Sequence, residues 1–238
     1  MRDIVKEILF KMPSIKVKLE KSQGEQTIGK IIVQEKNATI KIETTSIFRG
    51  YVFPTQSLEL CQTAQELFET YLEANIVSIA ELYAGKLCAA LNRQHPRDLF
   101  DVKVLLETIG ISEEMRVAFI VYLAGDKRPI HESPSPRIKQ DQKSIFYREF
   151  MGVTRMPINF DSLAGIIEKL TFQIKQQITT DEKEFLLSIA NGFPEWNKLN
   201  IPHLNELPAL KWKVQNIQKM DAKKRNEQVK LLEACFDF

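Results

Sequence analysis

IAELYAGKLCAALNRQHPRDLFDVKVLL, residues 79–106, is the stretch on which the reading of this chain turns. Ile79, Leu82, Tyr83, Leu87, Ala90 and Leu91 recur at three- and four-residue spacing, which predicts one apolar face of a helix turned to a core. Ser78 stands where it can cap the N-terminus, and Glu81, three residues on, completes the pattern of a capping box. Pro96 ends that helix, because it has no N–H to donate and biases His95 away from helical angles. A second helix is expected from about Arg97 or Asp98, with Leu99, Val102 and Leu106 on its buried stripe and Asp98, Asp101 and Leu105 on the adjacent one. Lys86, Arg93, Arg97, Asp98 and Asp101 interrupt both patterns.

Lys86 and Arg93 are two turns apart and share a helix face. A tight turn between the helices brings Lys86 toward Asp101. Taken singly, each charge has an ordinary explanation. Asp98 can cap a helix whose dipole favours carboxylates near its start. Arg93 and Arg97 can pair with carboxylates in water for at most ~1 kcal/mol each. Together, a Lys, an Arg-Asp pair and a further Asp packed among Leu, Ala and Phe need partners for their charges, since an uncompensated charge among apolar groups is costly. A functional site is the expected reading.

Glu81-Leu82-x-Ala84-x-Lys86 followed by Arg97-Asp98-Leu99-x-Asp101 resembles the signature of the AbiEii/AbiGii-type nucleotidyltransferase toxins, bacterial proteins of the polymerase-β-like nucleotidyltransferase superfamily. Gly50 with Val52 and Pro54, Arg128-Pro129-Ile130 with Glu132, Glu149 to Gly152, Phe185 to Leu187, Pro194-x-Trp196 and Leu207-Pro208-x-Leu210-x-Trp212-Lys213 are similar to further stretches of that family. The resemblance runs from about residue 25 to the C-terminus. It implies transfer of a nucleoside monophosphate from a nucleoside triphosphate to an acceptor such as RNA, by the toxin of a toxin–antitoxin system with a cognate antitoxin. Lys86 would contact the triphosphate as a positive point charge, and Asp101 would assist catalysis or orient Lys86. Arg97 and Asp98 would brace the second helix within the nucleotide site. Arg93 would reach a phosphate, for which a guanidinium fork is suited.

The resemblance also implies Mg²⁺, held by three carboxylates, two of them on an Asp-x-Asp or Asp-x-Glu strand after a Gly-Gly or Gly-Ser turn. The turn's N–H groups cradle the triphosphate, and the metals neutralise it and activate the attacking hydroxyl. None of the nine glycines here is followed by Gly or Ser, and no Asp-x-Asp or Asp-x-Glu occurs. The expectation is a family member whose N-terminal catalytic strand pair lies upstream of Met1. The third carboxylate would be Glu43, on the second of two strands, Thr27 to Gln34 and Ala38 to Thr45, joined by Glu35-Lys36-Asn37. There Ile40 and Ile42 take one face, and Lys41 and Glu43 the other. A solvent-facing strand explains the same alternation. The alternative function is therefore a truncated, catalytically silent member that binds a nucleotide, an RNA or a partner.

Composition bounds these readings. The 238 residues are 44% apolar, enough for a sizeable core. A net charge of +2, from 33 basic and 31 acidic residues, argues against a dominant nucleic-acid surface while leaving room for local patches. Cys61, Cys88 and Cys235 fit neither a disulfide framework nor a zinc site, and buried thiols are expected. His95, His131 and His203 are too scattered to suggest a metal. No apolar run approaches a membrane span and no signal-peptide core follows Met1, so the expected location is cytoplasmic. Lys219, Lys223, Lys224, Arg225 and Lys230 read as a solvated helix face, with contact to an RNA backbone as the functional alternative. Trp196 and Trp212 are expected in the core.

The fold expected is α+β. A small mixed or antiparallel N-terminal sheet over residues 1–60 precedes a mainly helical part, 61–238, that carries Lys86 and the Arg97-Asp98-x-x-Asp101 motif. Helices are predicted at Glu113 to Leu123, Ser162 to Gln177, Asp181 to Ala190 and Ala222 to Cys235.

Overall fold

A computed structural model of the chain describes residues 2–21, 28–43 and 49–236. It divides into two compact units, Met1–Phe48 and Arg49–Phe238. The fold class is α+β.

The first unit holds helix α1 (Arg2–Lys11) and strands β1 (Lys16–Lys21), β2 (Ile28–Glu35) and β3 (Ala38–Glu43) in an antiparallel sheet of order β1-β2-β3. Leu19 lies opposite Ile31 and Ile31 opposite Ile42, so one apolar row crosses the three strands and buries Ile31 completely. The β2–β3 hairpin falls where the alternation placed it. Thr27, Thr44 and Thr45, the expected outer ends of its strands, lie outside the described residues. β1 had no counterpart in the sequence reading, because KVKLEK offers only two apolar residues to show a period of two.

The second unit opens with β4 (Gln56–Glu59), α2 (Gln62–Phe68) and β5 (Glu73–Ile76), the two strands pairing antiparallel. Helices α3 (Ile79–Arg93), α4 (Pro96–Thr108), α5 (Glu113–Ala124), α6 (Gln142–Ile145), α7 (Ile166–Gln177), α8 (Thr180–Asn191), α9 (Pro208–Gln218) and α10 (Ala222–Cys235) follow. A short π-helical turn, Phe146–Phe150, continues α6. The core joins Leu87 and Leu91 of α3, Leu99 and Leu105 of α4, Phe119 and Leu123 of α5, Phe185 and Ile189 of α8, Leu210 of α9 and Leu232 of α10. Helix α7 starts four residues later than Ser162, after Gly165 in the left-handed region. α9 carries the Leu207-Pro208-x-Leu210-x-Trp212-Lys213 motif, with Leu207 as its N-cap.

The rotation of α3 differs from the sequence reading. Its buried residues are Ala80, Glu81, Ala84, Leu87, Ala90 and Leu91, while Ile79 and Leu82 are 58% and 47% exposed. The small alanines let α3 pack closely on α5, and that contact, rather than the larger side chains, decides which way the helix faces. Leu105 of α4 is buried as well, next to Leu99 and Val102, whereas Leu106 only packs against the rim of the core. Trp196 meets Phe185 at 6.3 Å between ring centres, but Trp212 is 43% exposed, since it stands on the outer side of α9 from buried Leu210 and Ile217. Cys61, expected to be buried, is exposed as the N-cap of α2.

Candidate functional site

The α3–α4 corner is built from three local choices. Gln94 ends α3 in the left-handed conformation, with φ 52°, and His95 follows in extended backbone as the N-cap of α4. His95 Nδ1 accepts from the Arg97 N–H at 3.2 Å, which leaves its proton on Nε2, facing Glu149 Oε2 at 3.2 Å. Pro96 occupies the first helical position, where a missing N–H costs nothing and its fixed φ suits the helix. α4 therefore begins at Pro96, one or two residues before the expected start. Gln94 is buried and secures the next segment: it donates to the Arg137 carbonyl at 2.8 Å and accepts from Lys139 N and Gln142 Nε2, each at 2.9 Å.

This corner lays α4 along α3 so that Lys86 and Asp101 meet. Lys86 Nζ is 2.5 Å from Asp101 Oδ2, and both side chains are 34% exposed. One turn of α4 earlier, Asp98 Oδ1 accepts from the Arg93 guanidinium at 2.7 Å, joining the two helices again. The other oxygen, Asp98 Oδ2, is buried without a hydrogen-bond partner among the described residues. Arg93 itself is exposed, and so is Arg97, whose side chain has no partner among the described residues. Of the five charges singled out in the sequence, four thus form two interhelical pairs, Lys86 with Asp101 and Arg93 with Asp98.

Glu81 has a different place from the one its spacing suggested. Ser78 Oγ accepts from the Glu81 N–H at 3.2 Å, so the cap is present, but the Glu81 carboxylate does not turn back to complete a capping box. It is 1% exposed and accepts from Val52 N at 2.6 Å, Phe53 N at 3.1 Å and Tyr122 Oη at 2.9 Å. A buried carboxylate is tolerable when its lone pairs are filled in this way. Glu81 so clamps the 52–53 backbone and α5 onto α3. Burial, followed by this bond to Glu81, raises the Tyr122 phenol well above its usual range. The signal in the sequence was the placement of Glu81 beside Ala80 and Ala84, the stripe that is in fact buried.

Beside the clamp, a cavity of about 520 Å³ opens between α3 and α5, lined by Arg49, Gly85, Asn92, Arg93, Tyr122, Asp126, Lys127 and Arg128 among others. Gly50 also lines it, at φ 86°, where a Cβ would stand 2.8 Å from Leu207 Cδ2. Only glycine serves there, since the backbone is left-handed and the space is taken. Cys88 reaches the same cavity, but burial raises its thiol and keeps it protonated, unfit as a nucleophile. The 126–128 turn on the cavity's edge is fixed by Lys213, whose Nζ donates to the carbonyls of Asp126 at 2.8 Å and Arg128 at 2.5 Å. Burial pulls the Lys213 pKa down to about 8. Asp126, Gln94, Tyr122 and Lys213 were not singled out as site residues in the sequence.

Glu43, the candidate metal ligand, belongs to the first unit and stands opposite Lys30 in the β2–β3 register. Lys30 Nζ lies 2.8 Å from Glu43 Oε1, and this hydrogen bond holds the Glu43 carboxyl below the usual range. No group of three or more His, Cys, Asp or Glu side chains able to hold a metal ion occurs among the described residues. The described residues therefore do not make up the donor set that Mg²⁺ needs, since that ion is held by oxygen ligands in near-ideal octahedral geometry. Among the described residues, no helix is long and apolar enough to cross a membrane.

The helical unit, its α3–α4 corner and the two signature motifs define a protein of the nucleotidyltransferase-toxin class, and the sequence comparison agrees over nine-tenths of the chain. The family model described as nucleotidyl transferase AbiEii toxin, type IV toxin–antitoxin system, matches residues 1–216, and the chain belongs to that family. No curated protein and no solved structure matches it. All of α10, with its exposed Lys223, Lys224 and Lys230, lies beyond the matched residues.

Proposed function

We propose that this chain transfers a nucleoside monophosphate from a nucleoside triphosphate to an acceptor such as RNA, as the toxin of a toxin–antitoxin pair, with its antitoxin as partner. In such a step an acceptor hydroxyl attacks the α-phosphorus, the bond to the bridging oxygen breaks, pyrophosphate leaves and the hydroxyl proton is released. Lys86 supplies positive charge to the triphosphate, and Asp101 holds the ammonium in place until the nucleotide arrives. Arg93 offers a phosphate its guanidinium fork, while Asp98 ties it to α4. Arg97, exposed at the start of α4, is the remaining candidate for nucleotide contact.

The observation that carries this reading is the 2.5 Å contact between Lys86 and Asp101, which unites the two signature motifs at one point. A pair one-third exposed is worth at most about 1 kcal/mol, so exchanging Asp101 for a phosphate costs the fold little. The described residues offer Mg²⁺ no ligand group. Transfer of labelled nucleotide to total RNA in the presence of Mg²⁺, comparing the parent with Lys86→Ala and Asp101→Ala, tests the proposal. Transfer by the parent and loss in both variants is expected, and a parent that transfers nothing ends the enzymatic reading.

The Glu43–Lys30 pair favours a second reading. A carboxylate already neutralised by a lysine fits a catalytically silent member that binds nucleotide, RNA or a partner without transfer. Nucleotide binding by a parent that labels no RNA is its expected result.

A further inference from the structure

A second cavity, of about 680 Å³, adjoins the first in the helical unit, and Asn92 and Arg128 line both. The two make one trough edged by six cations: Arg49, Arg93, Lys127, Arg128, Arg137 and Lys139. Among the described residues two carboxylates, Asp126 and Glu132, line it, and Asp98 holds Arg93 from outside. Asp126 is largely spoken for, since it accepts from Asn92 Nδ2 at 3.0 Å and from the Arg128 N–H at 2.9 Å, with Arg49 at 4.0 Å. Lys127, Arg128 and Arg137 have no side-chain partner among the described residues. Lys213, from beneath, fixes the turn that carries Lys127 and Arg128, and Gln94 fixes the Arg137 backbone. Like charges gathered on anchored backbone, with few acids to offset them, form an electrostatic trap for an anion.

We infer that this trough holds the phosphodiester backbone of a single-stranded RNA, which, on the transfer reading above, is the acceptor strand. Gly85 to Arg93 of α3 and its C-cap Gln94 line it, and the cations are divided between the two cavities, Arg49, Arg93 and Lys127 on the first, Arg137 and Lys139 on the second and Arg128 on both, rather than confined to one. A strand with one charge per nucleotide matches a distributed row better than a single triphosphate does. Among the described residues Tyr122 and His131 are the only aromatic rings that line it, and the Tyr122 hydroxyl is committed to Glu81. With little to stack on bases, the trough grips the backbone, and binding is tolerant of sequence and sensitive to salt.

The test is fluorescence anisotropy of a labelled single-stranded RNA oligonucleotide over a salt series, with neither nucleotide nor Mg²⁺ present, so that a chain unable to transfer still reports. Lys127→Gln with Arg137→Gln, both exposed, should weaken binding about tenfold and lower the salt slope by about 0.7 for each cation removed. Arg128→Gln alone should weaken it as well, whereas Lys169→Gln with Lys175→Gln, exposed on α7, should bind as the parent does. Thermal melts of every variant check that the fold is retained. Parental affinity in the trough variants, or an equal loss in the α7 control, overturns the inference. So does displacement of the RNA by ATP together with loss of ATP affinity in the trough variants, because the cavity would then belong to the nucleotide.

Discussion

The two sides of α3 carry the two ends of one short motif, and they treat charge in opposite ways. Glu81 is buried, and three donors from the 52–53 backbone and α5 fill its lone pairs. Lys86, five residues on, is one-third exposed and touches a single carboxylate. The first arrangement is expensive to disturb and the second cheap, so the signature Glu81-Leu82-x-Ala84-x-Lys86 joins a structural clamp to a lysine held by one partly exposed ion pair. Residues that recur together in a motif need not share a role.

Breaking the clamp should have the largest effect. Glu81→Ala strands two backbone N–H groups and a phenol, and is expected to cost on the order of 3–5 kcal/mol. For a unit of this size, that lowers the midpoint of a thermal melt by roughly 10 °C.

The next largest effect concerns the support beneath the 126–128 turn. Lys213 has its pKa lowered to about 8 from 10.5, so between those values the unfolded chain binds more protons than the folded one. Stability should therefore rise with pH across that window, by at most about 1.4 kcal/mol per pH unit, and be insensitive to this group below it. Denaturant titrations from pH 8 to 10 should show the rise in the parent and a flatter response in Lys213→Met.

Tyr122→Phe sharpens the comparison from within the clamp. It removes one of the three donors and leaves the ring in place, for an expected loss of about 1 kcal/mol in urea unfolding. Lys86→Ala should have the smallest effect on stability, under about 1 kcal/mol, while abolishing nucleotide transfer.

Much of the helical unit could be read in advance, because α3, α4, α5, α8 and α10 carry strong periodicity and Pro96 marks the corner between the first two. The rotation of α3 could not, since Ala80 and Ala84 are buried for their smallness while Ile79 and Leu82 are left outside. The meeting of Lys86 with Asp101 was legible from helix spacing and a short connection. The role of Glu81 was hidden because its partners lie 28, 29 and 41 residues away in sequence. The trough was hidden for the same reason: its cations come from residue 49, from the end of α3, from the 127–128 turn and from 137–139, and no local pattern joins them. A net charge of only +2 conceals that concentration.

The division between the two sides of α3 is tested most directly by the unfolding midpoint of the parent and of Lys86→Ala, each with and without a mixture of the four ribonucleoside triphosphates. Without nucleotide the two should melt within about 4 °C of each other, as loss of a partly exposed ion pair allows. With nucleotide only the parent should rise, because a ligand stabilises the folded form it binds. A variant that melts far below the parent without nucleotide, or that rises as far as the parent with it, would contradict the account.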